Sequence, residues 1–226
     1  MLIFRTPRME QVIGTIPSRT LSLLLESPAL SGRVLDLGCG MGSFDYHAFP
    51  DVQIVALDQI MTDAMFTKRA HGIVAEPRGL PFRSGAFGTV VMNHVLEHLR
   101  EPGVVLSEVS RILRKRGFLY VSIPNGHGFD DWVYRSLYYP CGLGVRGHGH
   151  INRFTFDSFL KMASDVGLEV IYYCDWFSAF SYLPDHPKWP RLGRLQGLVI
   201  DVTRFVDGIF NTDFSRYGWM FLLQKR

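Results

Sequence analysis

Short apolar runs alternate with segments of helical period along this chain. The apolar runs fall at residues 34–37, 53–57, 72–75, 89–92, 118–123, 168–174 and 219–223. Runs this short, bounded by glycine, proline or charge, read as strands buried on both faces. Between them, Val104, Val105, Val109, Ile112 and Leu113 share one helical face, which predicts a helix over 104–113 stopped by Gly117. A second helix is predicted over 156–166, with Thr155 and Asp157 as cap candidates. A leucine-rich helical pattern at 18–26 ends before Pro28. Further helices are expected from about Gly42 and over 62–70. Alternation of this kind implies a doubly wound, mostly parallel α/β sheet with helices on both faces. No internal repeat or low-complexity tract interrupts it.

The ends of the first two strands carry the chemistry. Residues 33–42 run Arg-Val-Leu-Asp-Leu-Gly-Cys-Gly-Met-Gly. An apolar run holding an acid thus opens into three glycines at every second position. Glycines without a Cβ permit a tight turn and let backbone touch a ligand. The second run ends in Asp58, about 20 residues beyond the first glycine, where nucleotide-binding α/β units place an acid against ribose hydroxyls. The spacing is G-x-G-x-G, with Ser43 where a dinucleotide fold has its third glycine, and no P-loop lysine follows. Asp36, two residues before the first glycine, would repel a pyrophosphate. It suits a ligand with a positive centre or an amino group.

On these residues the chain resembles the class I S-adenosylmethionine-dependent methyltransferases. It looks closest to the small-molecule branch called type 11 or ubiquinone-biosynthesis-like. The resemblance continues through Leu80-Pro81-Phe82, the run from Ala86 to Val91, Val95-Leu96-Glu97-His98-Leu99, Gly117-Phe118-Leu119 and Arg153-Phe154-Thr155. Gly88 stands where the family usually has an aspartate, and Arg116 departs from its common Pro-Gly. The resemblance implies a Rossmann-like sheet of seven strands, the seventh antiparallel. It also implies S-adenosylmethionine as cofactor and in-line methyl transfer to a small-molecule acceptor. The length fits one domain over 1–226, with 126–150 and 176–215 as substrate-cap insertions. Aromatic residues are dense in both, which suggests a large apolar or aromatic acceptor.

Cofactor roles follow position by position. Gly38, Cys39 and Gly40 should present backbone to the methionine part. Asp36 should sit beside its amino group, or else only order the loop. Asp58 should accept from both ribose hydroxyls, and Gln59 and Ile60 should flank the adenine. Glu76 stands where an aspartate usually accepts from the adenine amino group. Asn93 should lie near the sulfonium or the methionine carboxylate, unless it is an ordinary turn residue. For an acceptor that must lose a proton, His150 and His94 are the candidate catalytic bases. His150 closes a glycine-rich stretch, expected to form a loop over the strand ends that excludes water.

His94-x-x-Glu97-His98 also spells an inverted zinc-peptidase signature, if helical spacing puts all three side chains on one face. That reading leaves the glycine loop and Asp58 without a role, and no third ligand stands out downstream. Some quinone-pathway O-methyltransferases hold a divalent metal on this segment, with an acid where this chain has His94. The expectation here is no metal. His98 on its own reads as a residue packing the turn. A catalytically silent binding or scaffold protein on the same fold is the principal alternative to an enzyme.

Composition adds limits. The net charge of +3 is too small to argue for nucleic acid. The one basic cluster, Arg111, Arg114, Lys115 and Arg116, falls at a predicted helix end and suits the helix dipole. Three cysteines without metal spacing suggest reduced thiols and a cytoplasmic location. No apolar run is long enough to span a membrane. The pattern at 191–210, apolar with basic flanks, suggests peripheral membrane contact or a dimer face.

Overall fold

The computed structural model describes residues 32–126, 150–176 and 218–226. The predicted helix at 18–26, the bulk of both cap insertions and the segment 191–210 lie outside the described residues. Seven strands form one sheet: β1 (Arg33–Leu37), β2 (Gln53–Asp58), β3 (Ala70–Val74), β4 (Phe87–Asn93), β5 (Leu113–Pro124), β6 (Leu168–Trp176) and β7 (Gly218–Lys225). Their order is β3-β2-β1-β4-β5-β7-β6. Strands β1 to β5 pair in parallel, and β7 runs antiparallel between β5 and β6. The seven-stranded arrangement matches expectation. The order reverses between β1 and β4, which opens a crevice at the carboxyl ends of those strands.

Among the described residues two α-helices cover one face. Helix α1 (Pro102–Ile112) has Pro at its start, where the missing N–H costs nothing, and buries Val105, Leu106, Val109 and Ile112. Full burial of side chains this size contributes about 1.5–3 kcal/mol each. Helix α2 (Phe156–Asp165) opens on a capping box: Thr155 accepts from Ser158 N–H while the Ser158 hydroxyl accepts from Thr155 N–H. Both helices pack on the same core, with Leu35, Leu57, Val90, Met92, Val121 and Phe221.

The other face departs from expectation. No α-helix follows β1 or β2. One 3-10 turn, η1 (Tyr46–Ala48), stands where a helix was predicted from Gly42, and another, η2 (Asp63–Phe66), replaces the one over 62–70. Pro50 bars any helix that would run on through Phe49. Strand β3 begins two residues before its predicted start, which leaves room for one turn after Thr62. Phe44, Tyr46 and Phe49 cover this face instead, with Phe44 edge-on to Tyr46 at 4.8 Å and to Phe49 at 5.9 Å. They seal a second core of Val34, Ile54, Ala56, Val91 and Tyr120.

The basic cluster also reads differently in three dimensions. Helix α1 ends at Ile112, so Arg114, Lys115 and Arg116 belong to β5 and only Arg111 lies in the last turn. Arg111 grips Glu108 through two hydrogen bonds of 2.8 Å and donates to the carbonyls of Leu80 and Phe82. It pins the Leu-Pro-Phe segment to the helix rather than serving the dipole alone.

Candidate active site

Leu37, Asp58 and Asn93 end three parallel neighbours, so the loops after them share one edge of the sheet. Gly38 and Cys39 both donate to the Leu57 carbonyl, at 2.8 and 3.1 Å, which ties the glycine loop to the end of β2. Gly38, Gly40 and Gly42 all adopt left-handed backbone, φ +75°, +46° and +108°. Their missing side chains serve different ends. A Cβ on Gly38 would stand 2.5 Å from Val95, so that glycine lets the β4 loop pack against the β1 loop. A Cβ on Gly40 would meet nothing within 4 Å, so that glycine faces open space.

The Asp36 side chain does not face that space. It is fully buried. Oδ1 accepts from the Ser43 hydroxyl at 2.6 Å, and Oδ2 accepts from Ser43 N–H at 3.0 Å and from the Tyr46 hydroxyl at 2.6 Å. Burial pushes its pKa up, against these hydrogen bonds, which favour the charged form. The structure shows Asp36 ordering the loop through Ser43 and Tyr46. The Tyr46 phenol is raised by burial and by the neighbouring Asp36 charge. Cys39 is buried among the second core, and burial pushes its thiol up to about 11. Its backbone N–H donates to the Leu57 carbonyl, and its carbonyl accepts from Gly42 N–H at 2.6 Å.

Asp58 is half-buried at the edge. Oδ2 accepts from Gly40 N–H at 3.1 Å and Oδ1 from Gln59 N–H at 2.7 Å. A carboxylate has about four acceptor positions, so each oxygen keeps one for a diol. The glycine cradle and this acid fit an adenosyl cofactor. Gln59 and Ile60 follow Asp58 as exposed residues, and Glu76 is exposed just beyond β3. Ala75 N–H donates to the Asp58 carbonyl at 3.0 Å, which holds the Glu76 turn beside Asp58. Asn93 accepts from the Ser122 hydroxyl at 2.5 Å and is anchored to β5.

The loop after β4 brings both histidine candidates to one place. His94 takes left-handed backbone, φ +55°, with its N–H donating to the Ser122 carbonyl and hydroxyl, each at 3.2 Å. The 3-10 turn η3 (Leu96–His98) follows. No helix carries this stretch, so the one-face premise of the zinc-peptidase reading fails. His94 Nδ1 lies 3.1 Å from Oε1 of fully buried Glu97, and His98 Nε2 lies 4.0 Å from the same oxygen. Among the described residues Glu97 Oε2 has no hydrogen-bond partner. Ile151 and Asn152 donate backbone N–H groups to the Glu97 carbonyl, at 2.8 and 3.0 Å, and the Asn152 amide donates to the carbonyls of Leu96 and Leu99. That clamp seats the His150 ring 5.1 Å from the His98 ring. One donor atom each from Glu97, His98 and His150 lie within 4.8 Å of one another, close enough to surround a cation. Sequence reasoning treated Glu97 only as part of a motif and missed Ser43, Tyr46, Ser122 and Asn152. Ser43 had a signal, since it directly follows the glycines.

A seven-stranded sheet with one antiparallel strand, a glycine loop after β1 and an acid closing β2 define a Rossmann-like methyltransferase fold. The methyltransferase domain family matches residues 9–173, and the chain belongs to that family of S-adenosylmethionine-dependent methyltransferases. A malonyl-(acyl-carrier protein) O-methyltransferase of Legionella pneumophila is 29% identical over 183 residues, 75% of this chain and 63% of the relative. The chain thus spans a little under two thirds of that relative's length. The geranyl diphosphate C-methyltransferase of Streptomyces coelicolor, solved with Mg2+, geranyl diphosphate and S-adenosylhomocysteine, superposes with a TM-score of 0.63 at 14% identity, over 92% of this chain and 79% of that one. The phosphoethanolamine N-methyltransferase 2 of Haemonchus contortus, solved with S-adenosylmethionine, gives 0.59 at 16% identity, over 92% and 52%. The cyclase SpnF gives 0.62 at 18% identity, over 92% and 80%. Identities this low establish the fold alone. Among the described residues no helix is long and apolar enough to cross a membrane.

Proposed function

We propose that this chain transfers a methyl group from S-adenosylmethionine to a small-molecule acceptor held beside the loop after β4. The observation that carries the reading is the junction of Gly40 and Asp58, where a side-chain-free backbone faces open space beside a carboxylate with acceptor positions to spare. In this reading Asp58 takes the ribose hydroxyls, Gly40 and Cys39 present backbone to the methionine part, and Gln59, Ile60 and Glu76 bound the adenine. Asn93 faces the reacting end. When bound, the cofactor supplies an electrophilic methyl group on a sulfonium. The protein's task is then to hold the acceptor in line, which supplies about 7 kcal/mol of the barrier when the geometry is good. In this reading His94 and His150 stand at the acceptor side as the candidate bases. The aromatic residues of 126–150 and 176–215 support a large apolar acceptor, and the Legionella relative's name supports oxygen as the accepting atom.

Calorimetric titration with S-adenosylhomocysteine tests the first half, with one-to-one binding expected. Release of S-adenosylhomocysteine from S-adenosylmethionine across an acceptor panel tests the second. Binding without release on any acceptor would leave a silent scaffold, the alternative that a cyclase on this fold keeps open.

A further inference from the structure

The parallel strands begin at a second edge of the sheet, opposite the glycine loop, and cations line it. Arg33 opens β1, and its Nε donates to the Gln53 side chain at the start of β2, at 3.1 Å. Gln53 borders a surface hollow together with Lys68 and Arg69, which lead into β3. On the other side of Arg33, Arg114 reaches from β5 across the start of β4. Its Cζ stands 3.4 Å from where a Cβ on Gly88 would be, and its Nη1 3.9 Å from one on Gly32. Lys115 and Arg116 follow it in β5. Antiparallel β7 ends at the same edge. There Gln224 donates to the Arg116 carbonyl at 3.2 Å, and Lys225 to the Leu113 carbonyl at 2.8 Å, with Arg226 just beyond. The row crosses β3, β2, β1, β4, β5 and β7, about 24 Å at the usual strand spacing.

Eight cationic side chains stand in this row, and few acids stand beside it. Asp165 is held by Lys161 of its own helix at 2.7 Å. Asp51 remains, with Glu169 at 3.5 Å from Arg226. Among the described residues Lys68, Lys115 and Arg116 enter no ion pair. All three are exposed, as are Arg33 and Arg226. The surplus of six on this edge is twice the net charge of the whole chain, +3, so the remaining residues are net acidic. A charge separation of this size turns one end of the molecule towards a polyanion.

We propose that this edge docks on a membrane surface rich in anionic lipid, with the glycine-loop edge turned away from it. A row of strand ends and turns is broad and blunt, which suits a plane of headgroups. Duplex nucleic acid is read by an element that enters a groove, and strand ends offer none. Single strands need rings repeated along the track. One exposed ring accompanies the row among the described residues: Phe66, 71% exposed, two residues before Lys68. A lone apolar ring beside a lysine suits the headgroup boundary, where the ring meets the acyl chains and the ammonium meets phosphate. Each cation near an anionic leaflet strengthens binding by about fivefold. Contact of this kind is reversible and fades with salt, since the Debye length shrinks from about 10 Å at 0.1 M to about 3 Å at 1 M.

Co-sedimentation of the full chain with vesicles tests this, with phosphatidylcholine alone and phosphatidylcholine mixed with phosphatidylglycerol as the probes. The chain is expected to pellet with the mixed vesicles at about 0.1 M salt and to be released at about 1 M. With phosphatidylcholine alone it is expected to stay in solution. The combined variant Lys68→Gln, Lys115→Gln, Arg116→Gln is expected to bind mixed vesicles about 100-fold more weakly. Its urea midpoint and its affinity for S-adenosylhomocysteine are expected to match the wild type, since the three side chains are exposed and remote from the nucleotide edge. Failure to pellet with mixed vesicles, or equal binding to both kinds, overturns the proposal. So does a combined variant that binds like the wild type, which would place the contact elsewhere on the chain. A random-sequence DNA duplex that strips the chain from mixed vesicles at equal phosphate concentration also overturns it, and makes the partner nucleic acid.

Discussion

Two acids are buried at the same edge of the sheet, and they are treated in opposite ways. Asp36 has three hydrogen-bond donors converging on its two oxygens, all from the loop it precedes. Glu97 has one oxygen against His94 and the other without a hydrogen-bond partner among the described residues. A fully satisfied carboxylate shapes its surroundings and is finished. A half-satisfied one leaves an interaction open beside the histidine. The two loops touch where Val95 fills the place a Gly38 side chain would need.

That contact is the severest place to break the pair. Gly38→Val combines left-handed strain with a clash against Val95, and about 3 kcal/mol or more of stability should be lost in urea denaturation. Asp36→Ala strands buried donors on Ser43 and Tyr46, and should cost about 3 kcal/mol by the same measurement. Asp58→Ala should leave folding nearly intact but weaken S-adenosylhomocysteine binding by about 1.5–3 kcal/mol in calorimetry. Unchanged affinity would remove Asp58 from the site. Glu97→Gln, with a single bond to lose, should cost about 1 kcal/mol in stability; a cost equal to that of Asp36→Ala would erase the distinction between the two acids. The smallest effect is in pH dependence. Asp36 has a raised pKa, so the native chain holds that proton more tightly than the unfolded chain does. Stability should therefore fall as pH rises from 3.8 through the folded value, and Asp36→Asn should flatten that limb in urea midpoints taken across pH. Glu108 acts the other way. Arg111 lowers its pKa, so its contribution is present above 4.5 and fades as pH falls through the folded value.

The strands were legible because their apolar runs are continuous, and helices α1 and α2 because their stripes and caps are local. The two helices predicted after β1 and β2 were misread for a shared reason. Periodicity does not report how little chain separates the strands, and Phe44, Tyr46 and Phe49 cover their face without helical spacing. At the site, the glycines and Asp58 showed themselves by spacing. The inward turn of Asp36 did not, since it depends on Tyr46 reaching back across the loop. Nor did the meeting of His150 with the β4 loop, which Asn152 secures from far along the chain. Side chains joined only by the fold leave no local mark.

The plain turn after β1 has a consequence for how the molecule tolerates change. Two parallel neighbours need a crossover of about a dozen residues at the least, and residues 38–52 span this one with little to spare. Where a helix usually fills such a connection, an added residue can be absorbed by an extra part-turn. Here only a few residues separate the observed length from that minimum. A deletion between Gly42 and Val52 would drag on the nucleotide edge itself, so natural variation in length should gather elsewhere on the surface.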